Sequence, residues 1–201
     1  MNKEHIMIFA GEISGENHAY HLIKSLKNKK PSLKISGIGG KVMEDAGCSC
    51  IGSITELNCF QISYFKKIIL RKKLKSIIYN IDEHIKRTNP SMFIFVGIAD
   101  DTQFFVKELL KLARKYKIKT AYYFSPHVWL WSKRKTRKVA KEVDVIFSFF
   151  QREFEAYKKA GADVINVSHP VLDELPPKYS KQQFLKEYGL PNDCKLVALL
   201  P

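Results

Sequence analysis

The segment Gly11-Glu12-Ile13-Ser14-Gly15-Glu16 places two carboxylates, a hydroxyl and two glycines in six positions, with His18 two residues on. Gly11 and Gly15 allow the backbone to approach a ligand or a neighbouring helix, and Ser14 is placed to cap a following helix with Glu16 in its first turn. Packing and binding explain such a turn equally well. A second loop, Gly37-Ile38-Gly39-Gly40, can present backbone N–H groups to a polar ligand, although three glycines in four positions favour an ordinary tight turn. A third, Gly97-Ile98-Ala99-Asp100-Asp101, offers adjacent carboxylates suited to taking a proton from a hydroxyl, or to capping a helix.

The fourth loop is the richest. Ser125-Pro126-His127-Val128-Trp129-Leu130-Trp131 is followed by Lys133, Arg134, Lys135, Arg137 and Lys138. Aromatic faces hold sugar rings or acyl chains while nearby cations attract phosphate. A core tryptophan pair beside a solvated basic helix accounts for the same residues. No GxGxxG, P-loop, GxSxG or HExxH pattern occurs, so common dinucleotide, NTPase, hydrolase and zinc-protease mechanisms lack their parts.

Elements able to position these loops are legible in the apolar runs. His5–Ala10, Met92–Val96, Thr120–Phe124, Val143–Phe147 and Val164–Val167 read as strands separated by helical patterns. That alternation predicts an α/β fold, a Rossmann-like open parallel sheet with flanking helices, and ligands in such sheets bind at the C-terminal strand edge. Between Tyr64 and Arg87, Phe65, Ile68, Ile69, Leu74, Ile77, Ile78 and Ile81 alternate with Lys66, Lys67, Arg71, Lys72, Lys73 and Lys75. This stretch reads either as a packing helix with a charged outer face or as an amphipathic segment touching a membrane surface. Beyond His169-Pro170 and Leu175-Pro176-Pro177, a short helix near Ser180–Tyr188 and a strand over Lys195–Leu200 are expected, the strand opening a further domain.

Composition narrows the possibilities. The 201 residues carry 34 Lys and Arg against 20 Asp and Glu, a formal charge of +14, which favours polyanions: nucleic acid, anionic lipid or phosphorylated ligands. Cys48, Cys50, Cys59 and Cys194 lack paired zinc-ligand spacing and read as free thiols, with no metal. No apolar run reaches the roughly 18 residues that span a bilayer, and the opening segment is too short for a signal peptide, so a cytoplasmic location is expected.

Taken in order, the loops resemble the lipid-A-disaccharide synthases. The family's Gly-Glu-Ala-Ser-Gly-Asp pattern corresponds to Gly11–Glu16, and its Gly-Ile-Gly-Gly segment with following Met and Gly to Gly37–Gly40, Met43 and Gly47. Glu56-Leu57 matches a family Glu-Leu pair, and Ser-Pro-x-Val-Trp-x-Trp is complete at Ser125–Trp131, with Lys133-Arg134 behind it. Gly-His-Pro is reduced to Ser168-His169-Pro170, and Leu199-Leu200-Pro201 matches the start of a Leu-Leu-Pro-Gly-Ser-Arg segment.

The resemblance covers essentially the whole chain and about half of a family member. It implies the N-terminal half of a GT-B glycosyltransferase: an acceptor-binding Rossmann-like domain over 1–175, and over 176–201 a linker helix and first strand of a donor domain. The implied reaction transfers 2,3-diacylglucosamine from UDP-2,3-diacylglucosamine to 2,3-diacylglucosamine 1-phosphate with inversion and without cofactor or metal. It gives a β-1,6 disaccharide 1-phosphate and UDP on the cytoplasmic face of the inner membrane, contacted through residues 64–87. Implied substrate-binding residues are Gly11, Glu12, Ser14, Gly15, Glu16, His18, Gly39, Gly40, Ser125, Trp129, Trp131, Arg134 and His169. The family's Gly-Ile-Asp-x-Pro-Asp-Phe loop departs here, since Ala99 follows Gly97-Ile98; one inserted residue makes Asp100 the catalytic base and aligns Phe104. The chain alone is expected not to turn over, with a separate C-terminal half as a partner. A catalytically dead lipid- or phosphosugar-binding module is the alternative, and no recognised motif supports nucleic acid.

Overall fold

A computed structural model of the chain describes residues 4–53, 67–97, 103–130, 132–173 and 180–199. Asp100 and Trp131 lie outside the described residues, as do Cys59 and residues 54–66. The chain separates into two compact units, Met1–Ser168 and His169–Pro201.

The first unit is built on seven parallel strands, β1 (His5–Ala10), β2 (Lys34–Gly39), β3 (Ser49–Ser53), β4 (Met92–Val96), β5 (Lys119–Tyr123), β6 (Val145–Ser148) and β7 (Val164–Asn166). Their order is β3-β2-β1-β4-β5-β6-β7, the doubly wound arrangement expected from the alternating pattern. From β1 the chain winds outward through β2 and β3, then crosses to β4 and winds the other way. In open sheets of this kind the ligand crevice lies outside the C-terminal ends of the strands at which the order reverses, here β1 and β4.

Residues of β1 are buried throughout, as suits a strand covered on both faces. Met7 and Phe9 join Phe93, Phe95 and Tyr122 on one face, beneath α3 (Lys67–Thr88) and α4 (Gln103–Tyr116). Ile6, Ile8 and Ala10 join Ile94, Val96 and Ala121 on the other, covered by α1 (Ile13–Lys29) and α2 (Lys41–Asp45). Period-two alternation along the strands divides the two cores. Two further helices, α5 (Lys133–Ala140) and α6 (Gln151–Lys159), follow β5 and β6.

Two expectations are corrected. Gly37, Ile38 and Gly39 do not form a turn but belong to β2, with Gly40 preceding α2. Strand β2 runs so close to β1 that a Cβ on Gly37 would fall on the Ile8 carbonyl, and the β2–β3 register shifts after Gly37. In the basic stretch 64–87 the side chains are described from residue 74 on. Ile77, Ile81 and Ile85, spaced by four, are buried on the sheet, and Leu74 and Ile78 pack against the same core. That end of the stretch is a packing helix with a charged outer face, one of the two readings of its sequence. No described helix is long and apolar enough to cross a membrane.

In the second unit, α7 (Lys181–Glu187) starts at a capping box in which Ser180 and Gln183 satisfy each other's backbone N–H. The second correction falls beyond it: residues 195–199 form no strand. Extended backbone becomes a strand only by pairing, and here Val197 and Leu199 are 84% and 89% exposed.

Candidate functional site

The crevice between β1 and β4 is held by backbone contact. Gly11 N–H donates to the Val96 carbonyl at 3.1 Å, and Gly97 N–H to the Phe124 carbonyl at 3.2 Å, tying together the ends of β1, β4 and β5. A Cβ on Gly15 would stand 2.6 Å from the Val96 oxygen, and Gly97 sits at φ +54° with its own Cβ position 2.6 Å from Gly15 Cα. The first turn of α1 thus rests on the end of β4, at a separation that side chains would prevent.

This seating places Glu12. It is the N-cap residue of α1, in extended conformation, and its side chain makes no capping bond. Ser14 does not cap the helix as expected, because it lies inside the first turn; its hydroxyl donates to Glu12 Oε1 at 2.6 Å. The same oxygen is 3.7 Å from the Cβ position of Gly97. An exposed carboxylate, oriented by a hydroxyl, therefore stands at the mouth of the crevice. Chemically it can accept hydrogen bonds from sugar hydroxyls or accept a proton.

Glu16, also nominated as a ligand contact, points elsewhere. It is 6% exposed, and its Oε1 accepts the N–H groups of Val42 and Met43 at 3.1 and 3.4 Å at the start of α2. A negative charge there accepts the Val42 N–H, shares that of Met43 with the Gly40 carbonyl, and complements the helix dipole. Gly40 leaves room for it, since a Cβ would approach Glu16 Oε1 to 2.8 Å. Gly39 accommodates the Met43 sulfur, which occupies the space a Cβ would need.

His18 lies flat on Phe124, with ring centroids 3.6 Å apart and planes 11° from parallel. Phe124 in turn stacks on Phe149 at 3.9 Å, and takes φ +61°, an uncommon conformation for an aromatic residue. Three rings, one from α1 and two from the residues that follow β5 and β6, form one row along the C-terminal edge.

The Ser-Pro-x-Val-Trp-x-Trp loop is anchored from α6. Ser125 is buried, and its hydroxyl donates to Glu153 Oε1 at 2.7 Å. The other Glu153 oxygen accepts the Ser148 hydroxyl at 2.9 Å and the Phe149 N–H at 3.1 Å. Tyr157 donates to the Pro126 carbonyl at 2.9 Å, and burial pushes its phenol pKa well up. The Ser125 hydroxyl thus holds the loop in place. Trp129 packs half-buried against the core, and its buried indole N–H has no partner among the described residues. Arg134 is exposed in the first turn of α5, whose N-cap Ser132 accepts the Lys135 N–H.

His169 belongs to the second unit, where its Nδ1 accepts the Val171 N–H at 3.2 Å. Of the nominated residues, then, the structure gathers Gly11, Glu12, Ser14 and Gly15 at the crevice, with His18 along the same edge. Glu153, Tyr157 and Phe149 were missed by sequence reasoning. The only available signal was an acid early in the helix after a strand, which is common in proteins generally. Among the described residues Cys48, Cys50 and Cys194 are free cysteines.

Comparison with known proteins gives this edge its context. The family model described as lipid-A-disaccharide synthetase matches residues 6–201. A lipid-A-disaccharide synthase of Coxiella burnetii (strain Dugway 5J108-111) is 30% identical over 204 residues, covering 100% of this chain and 52% of the relative. Lipid-A-disaccharide synthase 1 of Legionella pneumophila (strain Paris) is 34% identical over 205 residues, covering 100% and 51%. The chain therefore spans about half the length of the relatives it matches. Among solved structures, Acinetobacter baumannii MurG superposes with TM-score 0.51 at 11% identity, over 89% of this chain and 47% of that one. The UDP-GlcNAc 2-epimerase of Neisseria meningitidis superposes with TM-score 0.54 at 12% identity, over 92% and 54%. These likenesses establish the fold, a Rossmann-like domain of the kind that forms one half of a GT-B glycosyltransferase. With the matched residues running from 6 to 201, the chain belongs to the lipid-A-disaccharide synthetase family.

Proposed function

We propose that this chain is the acceptor-binding half of an inverting glycosyltransferase joining two acylated glucosamines. The acceptor is 2,3-diacylglucosamine 1-phosphate and the donor UDP-2,3-diacylglucosamine, the latter held chiefly by a second domain beginning after residue 175. The observation that carries the reading is the Gly15–Gly97 contact, which puts the Glu12 carboxylate and its Ser14 donor at the switch point of the sheet. That is where an open α/β sheet receives its ligand.

In this mechanism Glu12, oriented by Ser14, fixes the acceptor sugar by its hydroxyls, and a carboxylate, assigned to Asp100, removes the proton from the attacking hydroxyl. The freed oxygen forms a bond to the donor's anomeric carbon as the bond to UDP breaks on the opposite face, so the configuration inverts. Positive charge developing on the sugar ring and negative charge on the departing diphosphate both require electrostatic support. Trp129 and Trp131 contribute apolar surface for acyl chains. The reaction takes place on the cytoplasmic side of the inner membrane.

Binding of 2,3-diacylglucosamine 1-phosphate to the chain in detergent tests this assignment, compared with a folded Trp129→Ala, Trp131→Ala variant. Saturable binding weakened in the variant is the expected result. A folded wild-type chain that ignores the ligand would remove the acceptor role from this half. The loop departure at Ala99 favours a second reading, a lipid- or phosphosugar-binding module without catalysis. Joined to its second half, such a module would bind the acceptor and yield no disaccharide.

A further inference from the structure

Helix α2 ends in a Schellman cap. Gly47, at φ +101°, donates its N–H to the Glu44 carbonyl at 2.8 Å, and the Cys48 N–H reaches back to the Met43 carbonyl at 3.1 Å. The cap turns Cys48 into the core beneath α2, where it is 6% exposed. Ser49 is exposed, and the period of two in β3 brings Cys50 back to the side of Cys48. Cys50 packs half-buried on the same core, with its thiol 3.8 Å from the Gly40 carbonyl. Thiols at i and i+2 thus meet on one side of the strand, where the Cys48 thiol donates to the Cys50 sulfur.

Their access and acidity differ. Donation from Cys48 holds the Cys50 thiol below its ordinary range, against burial and the carboxylates of Glu44 and Glu16. Cys48 is held well above that range, first by its bond to Cys50, then by burial and by the charges of Cys50 and Glu44, with Lys27 opposing. The half-exposed sulfur is the one able to act as thiolate, while the buried one stays protonated behind it. Such a pair closes to a disulfide once the outer thiol is oxidised to a sulfenic acid. Among the described residues no group of three His, Cys, Asp or Glu side chains could hold a metal ion, which leaves the chemistry to the two sulfurs.

Residues two apart in an extended strand stand about 6.6 Å between Cα atoms, near the upper end of what a disulfide spans. The chain here can shorten. Cys48 precedes the strand, β3 lies at the edge of the described sheet, and its register with β2 skips Ile51 directly after Cys50.

We propose that Cys48 and Cys50 form a modification site for hydroperoxides, with Cys50 reacting first and Cys48 closing a reversible disulfide. The Cys50 thiolate attacks one peroxide oxygen as the O–O bond breaks, giving a sulfenic acid and hydroxide; the hydroxide takes up the proton that Cys50 released and becomes water. The Cys48 sulfur then attacks the Cys50 sulfur, the S–O bond breaks, and the departing hydroxide leaves with the Cys48 proton as a second water. Two thiols lose two electrons and one peroxide gains them. A bond near the limit of its span is readily reduced, so the modification reverses with a dithiol.

Mass spectrometry tests it on the Cys59→Ser, Cys194→Ser chain, in which Cys48 and Cys50 are the remaining cysteines. Hydrogen peroxide should remove two hydrogens from the tryptic peptide 42–66, and dithiothreitol should restore them. In the same background Cys48→Ser should stop at a sulfenic acid that dimedone traps, whereas Cys50→Ser should lose the reaction at the peroxide concentration that closes the pair. Circular dichroism confirms that each variant is folded. Wild type gives a check free of substitutions, since fragment ions of its oxidised peptide should place the bridge between Cys48 and Cys50. A bridge from either to Cys59 would overturn the proposal, as would oxygen addition without loss of hydrogens. So would disulfides formed only between chains, or Cys50→Ser oxidised as fast as the intact pair.

Discussion

Gly15 in α1 and Gly97 after β4 meet backbone to backbone, with the Cβ position of Gly97 only 2.6 Å from Gly15 Cα. The contact lies at the reversal of the sheet, so it fixes both where the first helix begins and how far apart the two loops stand. Gly15→Ala should force these elements apart and destabilise the first unit by about 1–3 kcal/mol, in line with overpacking elsewhere. Gly97→Ala adds strain at φ +54° and should cost at least as much. Urea unfolding measures both. A Gly15→Ala midpoint equal to wild type would mean that the contact relaxes at no cost.

Glu153 accepts from Ser125, Ser148 and the Phe149 N–H while only 2% exposed. Glu153→Ala removes the acceptor of the Ser125 hydroxyl and the Phe149 N–H, leaves Ser148 to the Phe150 carbonyl and opens a cavity, and should cost about 2–4 kcal/mol. Glu153→Gln keeps the volume and one acceptor, and should recover part of the loss. The ranking Ala below Gln below wild type in chemical denaturation is the check; a Gln variant no better than Ala would point to charge as the essential feature.

How far the fold and site could be read from sequence follows from where each residue's partners lie. Strands β1 and β4 to β7 announce themselves as apolar runs, and their order follows from the intervening helices. Strands β2 and β3 did not stand out. Gly37 and Gly39 are poor strand formers by local preference, yet the close approach to Ile8 and the Met43 sulfur requires them. Glu16 looked like a site carboxylate because of its neighbours in sequence; its partners, Val42 and Met43, lie 26 and 27 residues away. Only tertiary structure separates Glu12, left open at the crevice, from Glu16, turned inward to a helix end.

His5, Ser36 and His84 form a chain at the opposite, N-terminal edge of the sheet, with Ser36 Oγ 2.8 Å from one imidazole and 2.9 Å from the other. A hydroxyl that donates to one ring and accepts from the other requires the ring that accepts to be neutral. Burial, then repulsion from His84, lowers the pKa of His5 below 6.5, with Lys34 adding to the effect and the Thr88 backbone opposing it. Burial and Arg87 lower that of His84. The unfolded chain therefore binds more protons than the folded one as pH falls from about 6.5, so stability is lost through that range. His84→Gln should flatten the dependence between pH 7.5 and 5.5, measured by urea unfolding. An unchanged slope would place the acid sensitivity elsewhere.

Glu12 separates function from stability. It is exposed, and among the described residues its side chain accepts a hydrogen bond from Ser14 alone, so Glu12→Ala should leave the unfolding midpoint close to wild type, within about 0.5 kcal/mol. If its carboxylate receives acceptor hydroxyls, removing a charged hydrogen-bond partner should weaken binding of 2,3-diacylglucosamine 1-phosphate by about 10- to 100-fold. Ser14→Ala should have a smaller effect in the same direction, because it only orients the carboxylate. Glu12→Gln distinguishes charge from shape: it keeps an acceptor oxygen and should retain intermediate affinity. Isothermal titration in detergent gives the three constants. Wild-type affinity in Glu12→Ala would detach this carboxylate from the acceptor, whereas a large loss of stability would show that it serves the crevice wall.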